Sequence, residues 1–376
     1  MLKDEIEVTI EKLIPGGDGL ARLDGQAVFF PGVLPGERVK AVIVDQKKGW
    51  VKTGVPEVLE ASPDRQIPFC PLFGECGGCS WQHIAYNVQL ESKAAFSRES
   101  LIRQGGFSDD EIPDFRITSS PPESYRARIR PTILSGGKAG FHSTGSNRIV
   151  PVPFCPVATP GVNRFLSSPP DELENGANPT VFGDNKDFWT AGINPEAQAV
   201  IKGKTFNFPP EAFFQSNMYP LSDLIDFALK DAEIAGNSCG MDLYGGVGLF
   251  GAFLAGRFET VVGVDRDKRT KKYWKRHVGK SGTFHPVTLE DYTRRKIEPK
   301  PDFIIVDPPR TGLSPSIRKV LSRLKVPQIS YVSCNPVTQA RDIKELRAAG
   351  YKLTDYGVFD LSPQTAHVET VARLVI

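Results

Sequence analysis

The chain has 376 residues, of which 40% are hydrophobic and 24% charged, with a formal net charge of +2. Those proportions describe a soluble globular protein of two or three domains, and a charge so near zero singles out no class of partner. No run of eighteen apolar residues occurs and the opening Met1-Leu2-Lys3-Asp4-Glu5 lacks a signal-peptide pattern, so the sequence predicts no membrane span, no membrane partner and a cytoplasmic location. In that compartment six cysteines point to metal binding or catalysis rather than disulfides.

Residues 5–60 read as short strands, at 7–13, 26–30, 38–44 and 49–59, punctuated by Pro15-Gly16-Gly17 and Pro35-Gly36. Strands this short and evenly spaced suggest a small barrel of the oligonucleotide-binding kind. Its net charge is slightly negative, so charge alone does not make it an RNA binder. A cysteine-bearing segment, 70–79, leads into a helix expected over 84–104. Residues 113–155 look β-rich, and 157–185, rich in Pro, Ser, Asn and Gly, read as a loop or insertion. From about 220 apolar strands alternate with amphipathic helices. Strands are expected at 241–244, 261–265, 284–287, 303–306, 329–333, 351–359 and 368–376, with helices between the first five. That alternation predicts an α/β fold with a mostly parallel, doubly wound sheet, its last two strands forming an antiparallel hairpin at one edge. The domain reading is 1–60, a barrel; 61–215, a central domain; and 216–376, a catalytic domain.

The segment from Asp242 to Phe250, Asp-Leu-Tyr-Gly-Gly-Val-Gly-Leu-Phe, is a strand entering a glycine-rich turn. Glycine lets backbone approach a ligand without a Cβ in the way. The next strand ends at Asp265, where a carboxylate can accept both ribose hydroxyls of a nucleoside cofactor. Gly246, Gly248 and Gly251 also fit the dinucleotide fingerprint, so this loop alone leaves a nicotinamide enzyme open. Asp242 ahead of the turn favours S-adenosylmethionine.

Asp307-Pro308-Pro309-Arg310 and Ser333-Cys334-Asn335-Pro336 each follow an apolar run, and His367-Val368-Glu369 brings a carboxylate near the C-terminus. Alone, Cys334 would be read as an inert buried thiol. Together these residues suit covalent chemistry on uracil: a thiolate attacks C6, C5 becomes nucleophilic and takes a methyl group, and a base removes the C5 proton. Cys334 is the candidate nucleophile, Glu369 the base and Asp307 a polar clamp. His367 is the weaker alternative base. Amino-methyltransferases place a stacking aromatic where Arg310 stands, which argues against exocyclic amine chemistry.

Cys70, Cys76 and Cys79 fall within ten residues, with Gly77 and Gly78 between the last two. A fourth thiolate would come from Cys155, or failing that Cys239. Zinc and iron–sulfur chemistry both fit four thiolates, and a single close pair leans to a [4Fe–4S] cluster, expected to be structural. Two basic runs stand out: eight Lys or Arg against one acid from Arg266 to Lys280, and five with no acid from Tyr125 to Arg148. Either could be a solvated face or a phosphate contact. Arg126, Arg128 and Arg130 alternate, as residues sharing one strand face would.

These motifs resemble the bacterial RNA uracil-5-methyltransferases, most closely the ribosomal enzymes acting on 23S rRNA, and the resemblance spans nearly the whole chain. It implies a TRAM domain at 1–60 and a [4Fe–4S] cluster on Cys70, Cys76, Cys79 and Cys155. It implies S-adenosylmethionine contacts at Gln215 (within Phe213-Phe214-Gln215-Ser216-Asn217), Tyr244, Asp265 and Asp307, with Cys334 as nucleophile and Glu369, in Gln364-Thr365-Ala366-His367-Val368-Glu369, as base. Gly245, Leu249 and Thr288 depart from the family pattern, and Asp265 replaces a customary glutamate. The implied partner is RNA, bound by a monomer that extrudes a uridine from its stack. A tRNA substrate is the nearest alternative, although bacterial tRNA enzymes of this kind generally lack the barrel and the cysteine cluster. A non-catalytic iron–sulfur RNA-binding protein is the alternative from another class.

Overall fold

The computed structural model describes residues 5–232 and 238–376. The chain divides into two compact units, neither continuous in sequence: residues 1–96 with 141–150 and 362–367, and residues 97–140 with 151–361 and 368–376.

The first unit opens with a seven-stranded sheet. Its order is Glu5–Thr9, Arg38–Lys47, Trp50–Thr53, Gln26–Phe30, Gly19–Leu23 and Lys12–Leu13, with Glu57–Glu60 also pairing Arg38–Lys47. Ile10, Ala21, Val28, Phe30, Val39 and Val51 close on one core, as a barrel-like sheet requires. The strand expected at 7–13 is split at Ile10 and Glu11, and Gly19–Leu23 is a strand that the turn residues around it hid. Gly19 must be glycine: a Cβ there would meet Val33 and come within 3.0 Å of Ile10.

The same unit holds a buried polar knot. Gln89, on the helix Tyr86–Arg103, exchanges hydrogen bonds with Gln364: its Nε2 donates to Gln364 Oε1 (3.0 Å), and its Oε1 accepts from Gln364 N (2.9 Å). The Gln364 carbonyl accepts from Ser80 and Trp81 N–H, and buried Lys93 donates to the Ser362 carbonyl at 3.1 Å. Gln364 therefore acts structurally, tying the segment after Cys79 to the stretch before Glu369.

The second unit is built on an eight-stranded sheet ordered Gly282–His285, Thr260–Val264, Cys239–Leu243, Phe303–Val306, Gln328–Ser333, Glu369–Val375, Lys352–Phe359 and Phe115–Thr118. The first five strands run parallel, and Glu369–Val375 pairs antiparallel on both sides. All seven expected strands are present. The expectation of a terminal hairpin at the edge needs correction, because Phe115–Thr118 pairs parallel with Lys352–Phe359 and takes that edge. Residues 157–185 also differ from a plain loop: Pro160–Ser167 is a helix, capped by Thr159 and started by Pro160, and Val181–Gly183 is a strand. The helix buries Val162, Phe165 and Leu166, a one-sided pattern that composition concealed.

Trp274 organises the cofactor side of this sheet. It is fully buried on the helix Lys271–Val278. A Cβ on Gly263 would overlap its indole, and Cβ atoms on Gly282 and Gly248 would stand 2.6 and 2.9 Å from it. Three glycines thus make room for one large ring.

Candidate active site

In a doubly wound sheet, ligands sit beyond the carboxyl ends of the strands. Tyr244, Asp265, Asp307 and Cys334 each follow the last residue of a parallel strand. Glu369 reaches the same end from the opposite direction. Ser333 pairs with Thr370 across the antiparallel ladder, and Thr370 Oγ1 donates to the Ser333 carbonyl at 3.0 Å. Cys334 and Glu369 lie one residue beyond that pair on neighbouring strands. All five, with Gln215, line one cavity of about 950 Å³. That is at the upper end of the usual range for small-molecule sites, with space for a nucleoside cofactor and an extruded base.

The cofactor turn is shaped from beneath. Asp242 is buried and lies outside the lining; its Oδ2 accepts from Gly251 N–H at 2.8 Å. A Cβ on Gly245 would stand 2.9 Å from that carboxyl carbon, so glycine is needed at this departure from the family pattern. Burial pushes the Asp242 pKa up to about 7. Tyr244 takes a left-handed backbone, φ 64°, uncommon for a non-glycine residue. Asp265 accepts from Gly246 N–H (3.0 Å) and Asp267 N–H (2.7 Å), leaving a lone pair on each oxygen for a diol. Thr288 caps the short helix Leu289–Thr293, its hydroxyl accepting from Asp291 N–H.

The reactive end is held as firmly. Asn335 caps the helix Pro336–Ala348, accepting from Val337 N–H, while Asn335 Nδ2 and Thr338 Oγ1 both donate to the Arg310 carbonyl (3.0 and 3.1 Å). The turn after Cys334 is thereby tied to the loop after Asp307. Burial, helped by Glu369 and Asp307, pushes the Cys334 thiol up to about 11, with the Arg310 guanidinium opposing. Burial raises Asp307 to about 7, and burial with the nearby Asp307 raises Glu369 well above the ordinary carboxylate range.

The comparisons with known proteins agree with this geometry. The family described as tRNA (Uracil-5-)-methyltransferase matches residues 287–375, and the TRAM domain matches residues 1–52. A 23S rRNA (uracil(1939)-C(5))-methyltransferase of Cronobacter sakazakii is 30% identical, over 98% of this chain and 96% of its own. The chain belongs to the RNA (uracil-5-)-methyltransferase family. An uncharacterized RNA methyltransferase of Bdellovibrio bacteriovorus is 32% identical over all of this chain and 96% of its own. Among solved structures, the Pyrococcus abyssi tRNA (uracil-54, C5)-methyltransferase, in complex with S-adenosyl-L-homocysteine, superposes with a TM-score of 0.73 at 25% identity. The match covers 98% of this chain and 100% of the other. This enzyme is therefore an S-adenosylmethionine-dependent α/β methyltransferase with an N-terminal TRAM domain, whose match ends at residue 52 while Glu57–Glu60 extends the same sheet.

Arg266, the first residue of the basic run, also lines the cavity. His367 is exposed. Cys70, Cys76, Cys79 and Cys155 are half-buried, whereas Cys239 is buried, its thiol pushed up to about 11. Among the described residues no three His, Cys, Asp or Glu are gathered closely enough to hold a metal ion. The strand expected to carry three arginines shrinks to Arg128–Ile129. Arg128 is half-buried, its Nε buried with no hydrogen-bond partner among the described residues and its guanidinium 5.9 Å from the Phe213 ring. The run 266–280 is partly neutralised: Arg269 pairs with Asp267, and Lys272 and Arg276 with Glu196. No helix among the described residues is long and apolar enough to cross a membrane. Sequence reasoning missed Phe213 as a cavity-lining residue: it is 66% exposed, a signal only the fold supplies.

Proposed function

We propose that this enzyme methylates C5 of a uridine in 23S rRNA through a covalent adduct on Cys334. The observation that carries the reading is the convergence of Cys334, Glu369 and Asp307 on the cavity that Gln215, Tyr244 and Asp265 also line. S-adenosylmethionine supplies an electrophilic methyl group on a sulfonium. Asp265 holds the ribose of the cofactor, Gln215, Tyr244 and Asp307 complete its contacts, and Asp307 also faces the uracil edge. Positive charge beside Cys334, Asp307 and Glu369 favours the ionised form of each. The Cys334 thiolate bonds to C6, and the electron pair of the C5–C6 double bond moves toward the C4 oxygen. C5 then takes the methyl group from the sulfonium, the electron pair of the broken S–CH3 bond staying on that sulfur as a neutral thioether. The Glu369 carboxylate removes the C5 proton, the double bond re-forms, and the sulfur leaves with the electrons of the S–C6 bond.

Functionally, residues 1–60 grip RNA, 61–215 carry a cluster and 216–376 transfer the methyl group, with the protein acting as a cytoplasmic monomer. The proposed [4Fe–4S] cluster rests on Cys70, Cys76, Cys79 and Cys155. Four cysteine sulfurs suit it chemically, and Gly77, whose Cβ would stand 3.0 Å from the His142 carbonyl, keeps the turn between Cys76 and Cys79 tight. Anaerobically purified protein should contain about four iron atoms per chain, lost on Cys76→Ala; iron-free protein with full methylation activity removes the cluster from the account.

The deciding experiment is nucleoside mass spectrometry on unmodified 23S rRNA and tRNA transcripts incubated with labelled S-adenosylmethionine. Labelled 5-methyluridine in 23S rRNA, absent with Cys334→Ala, is the expected result. Label in tRNA alone would establish the second reading, which the superposition on an archaeal tRNA enzyme favours. Absence of label from both, with RNA binding retained, would leave a non-catalytic RNA-binding protein.

A further inference from the structure

Through residue 60 the chain carries eight Lys or Arg and ten Asp or Glu, an unpromising balance for RNA. The register of the barrel sheet shows that these charges are sorted. Near one edge the cations are spent on acids: Arg38 pairs with Glu7 and Glu60, and Lys40 with Glu5. Across the middle of the sheet the pattern reverses. Arg22 pairs with Ala27, Ala27 with Trp50 and Trp50 with Lys47, so these four residues form one cross-strand row. The next row runs Leu20, Phe29, Lys52 and Asp45.

Both rows face outward, because Ala21, Val28 and Val51, which alternate with them, are buried in the core. Two rings stand at the centre. Phe29 and Trp50 are half-buried, their centroids 6.2 Å apart and their planes at 52°. Lys47 Nζ lies 5.8 Å from the Trp50 centroid. Arg22, Lys47 and Lys52 are exposed, and none forms an ion pair among the described residues. The only acid in the two rows, Asp45, opposite Lys52 in register, likewise forms no ion pair there.

We propose that this face, centred on Phe29 and Trp50 and edged by Arg22, Lys47 and Lys52, is a stacking platform for a single-stranded segment of the substrate RNA, away from the methylated uridine. Aromatic faces accept any base, and flanking cations track the phosphates, the combination by which proteins hold single strands without reading sequence. The inference rests on the reading of the chain as an RNA methyltransferase and adds where, and by which contacts, its barrel holds RNA.

The test uses the full-length protein and a short fluorescein-labelled single-stranded RNA, with affinity measured across a salt series. Trp50→Ala and Phe29→Ala should each weaken binding roughly tenfold, while Trp50→Phe, which keeps a ring, retains most of the affinity. Replacing Arg22, Lys47 and Lys52 together with Ala should reduce the slope of log affinity against log salt by about 2, at roughly 0.7 per phosphate contact on a single strand. Lys40→Ala, on the neutralised side, should leave the slope unchanged. In methylation assays the platform variants should raise KM with kcat intact at saturating RNA. Unchanged affinity and slope in folded variants, as judged by thermal melting, overturn the platform. A wild type that binds RNA through this face but methylates nothing would sink the enzymatic reading and leave the platform standing.

Discussion

Tyr244 pays for its place with backbone strain. A left-handed φ at a tyrosine persists only where the surroundings fix it, and here its N–H donates to the Val264 carbonyl at 2.9 Å while the ring lines the cavity. Tyr244→Asn, a residue tolerant of left-handed backbone, should melt close to wild type yet bind S-adenosylhomocysteine roughly three- to tenfold more weakly by calorimetric titration, as loss of an aromatic contact implies. The carboxylates and thiol carry pH predictions. Asp242 folds with its pKa raised to about 7, so its stabilising contribution is complete below its unfolded value and is lost as pH rises through 7. Asp242→Asn keeps an oxygen for Gly251 N–H and removes that loss. Relative to wild type it should gain stability between pH 4 and 7, by up to roughly 4 kcal/mol, read from urea unfolding at each pH. Cys334, raised to about 11, is a thiol in the free enzyme at neutral pH, so kcat/KM should climb with pH into the alkaline range. Glu369→Gln should stall after methyl transfer and accumulate a protein–RNA adduct resistant to denaturing gels; free methylated product at the normal rate would exclude Glu369 as the base.

At the scale of elements, the helix Lys271–Val278 and the glycines beneath it act as one piece. Gly263→Ala forces a methyl group into the Trp274 indole and should destabilise the second unit by about 1–3 kcal/mol, as overpacking in cores does; denaturant unfolding measures it. The basic run that begins before this helix and continues through it suggested a nucleic-acid face, yet Glu196 pairs with two of its cations. Charge runs are visible in sequence, but their partners are not. Prolines and glycines misled in the opposite direction at 157–185, where Pro160 starts a helix instead of breaking one.

For the whole molecule, the proposed functional segments and the compact units do not coincide. The first unit draws on residues 1–96, 141–150 and 362–367. Leu13 and Leu34 of the barrel pack with Trp81, Ile84 and Phe96, so a fragment ending at residue 60 would bare both leucines. It should melt at a markedly lower temperature by circular dichroism than a fragment continuing to residue 96. A catalytic fragment starting at 216 would lack Phe115–Thr118 and leave Lys352–Phe359 as an open edge, a recognised route to association. Size-exclusion chromatography should show it aggregating where the intact chain does not.

The sequence alone determined what short-range chemistry encodes: the parallel strands from their apolar runs, the glycine turn after Asp242, and the residues that stand at strand ends. It could do so because strand periodicity, turn residues and strand exits are local. Tertiary structure decided what depends on distant partners. Register set Glu369 near Cys334, each one residue beyond the Ser333–Thr370 pair of the antiparallel ladder, a neighbourhood that no spacing announces. Burial placed Asp242 beneath the turn, where its carboxylate accepts from Gly251 N–H. Residues 115–118 joined the catalytic sheet across more than two hundred positions of sequence, and the barrel's charges, slightly negative as a sum, were sorted by strand order into a neutralised edge and a cationic middle. Each outcome follows from packing between segments far apart in the chain, which composition and periodicity do not record.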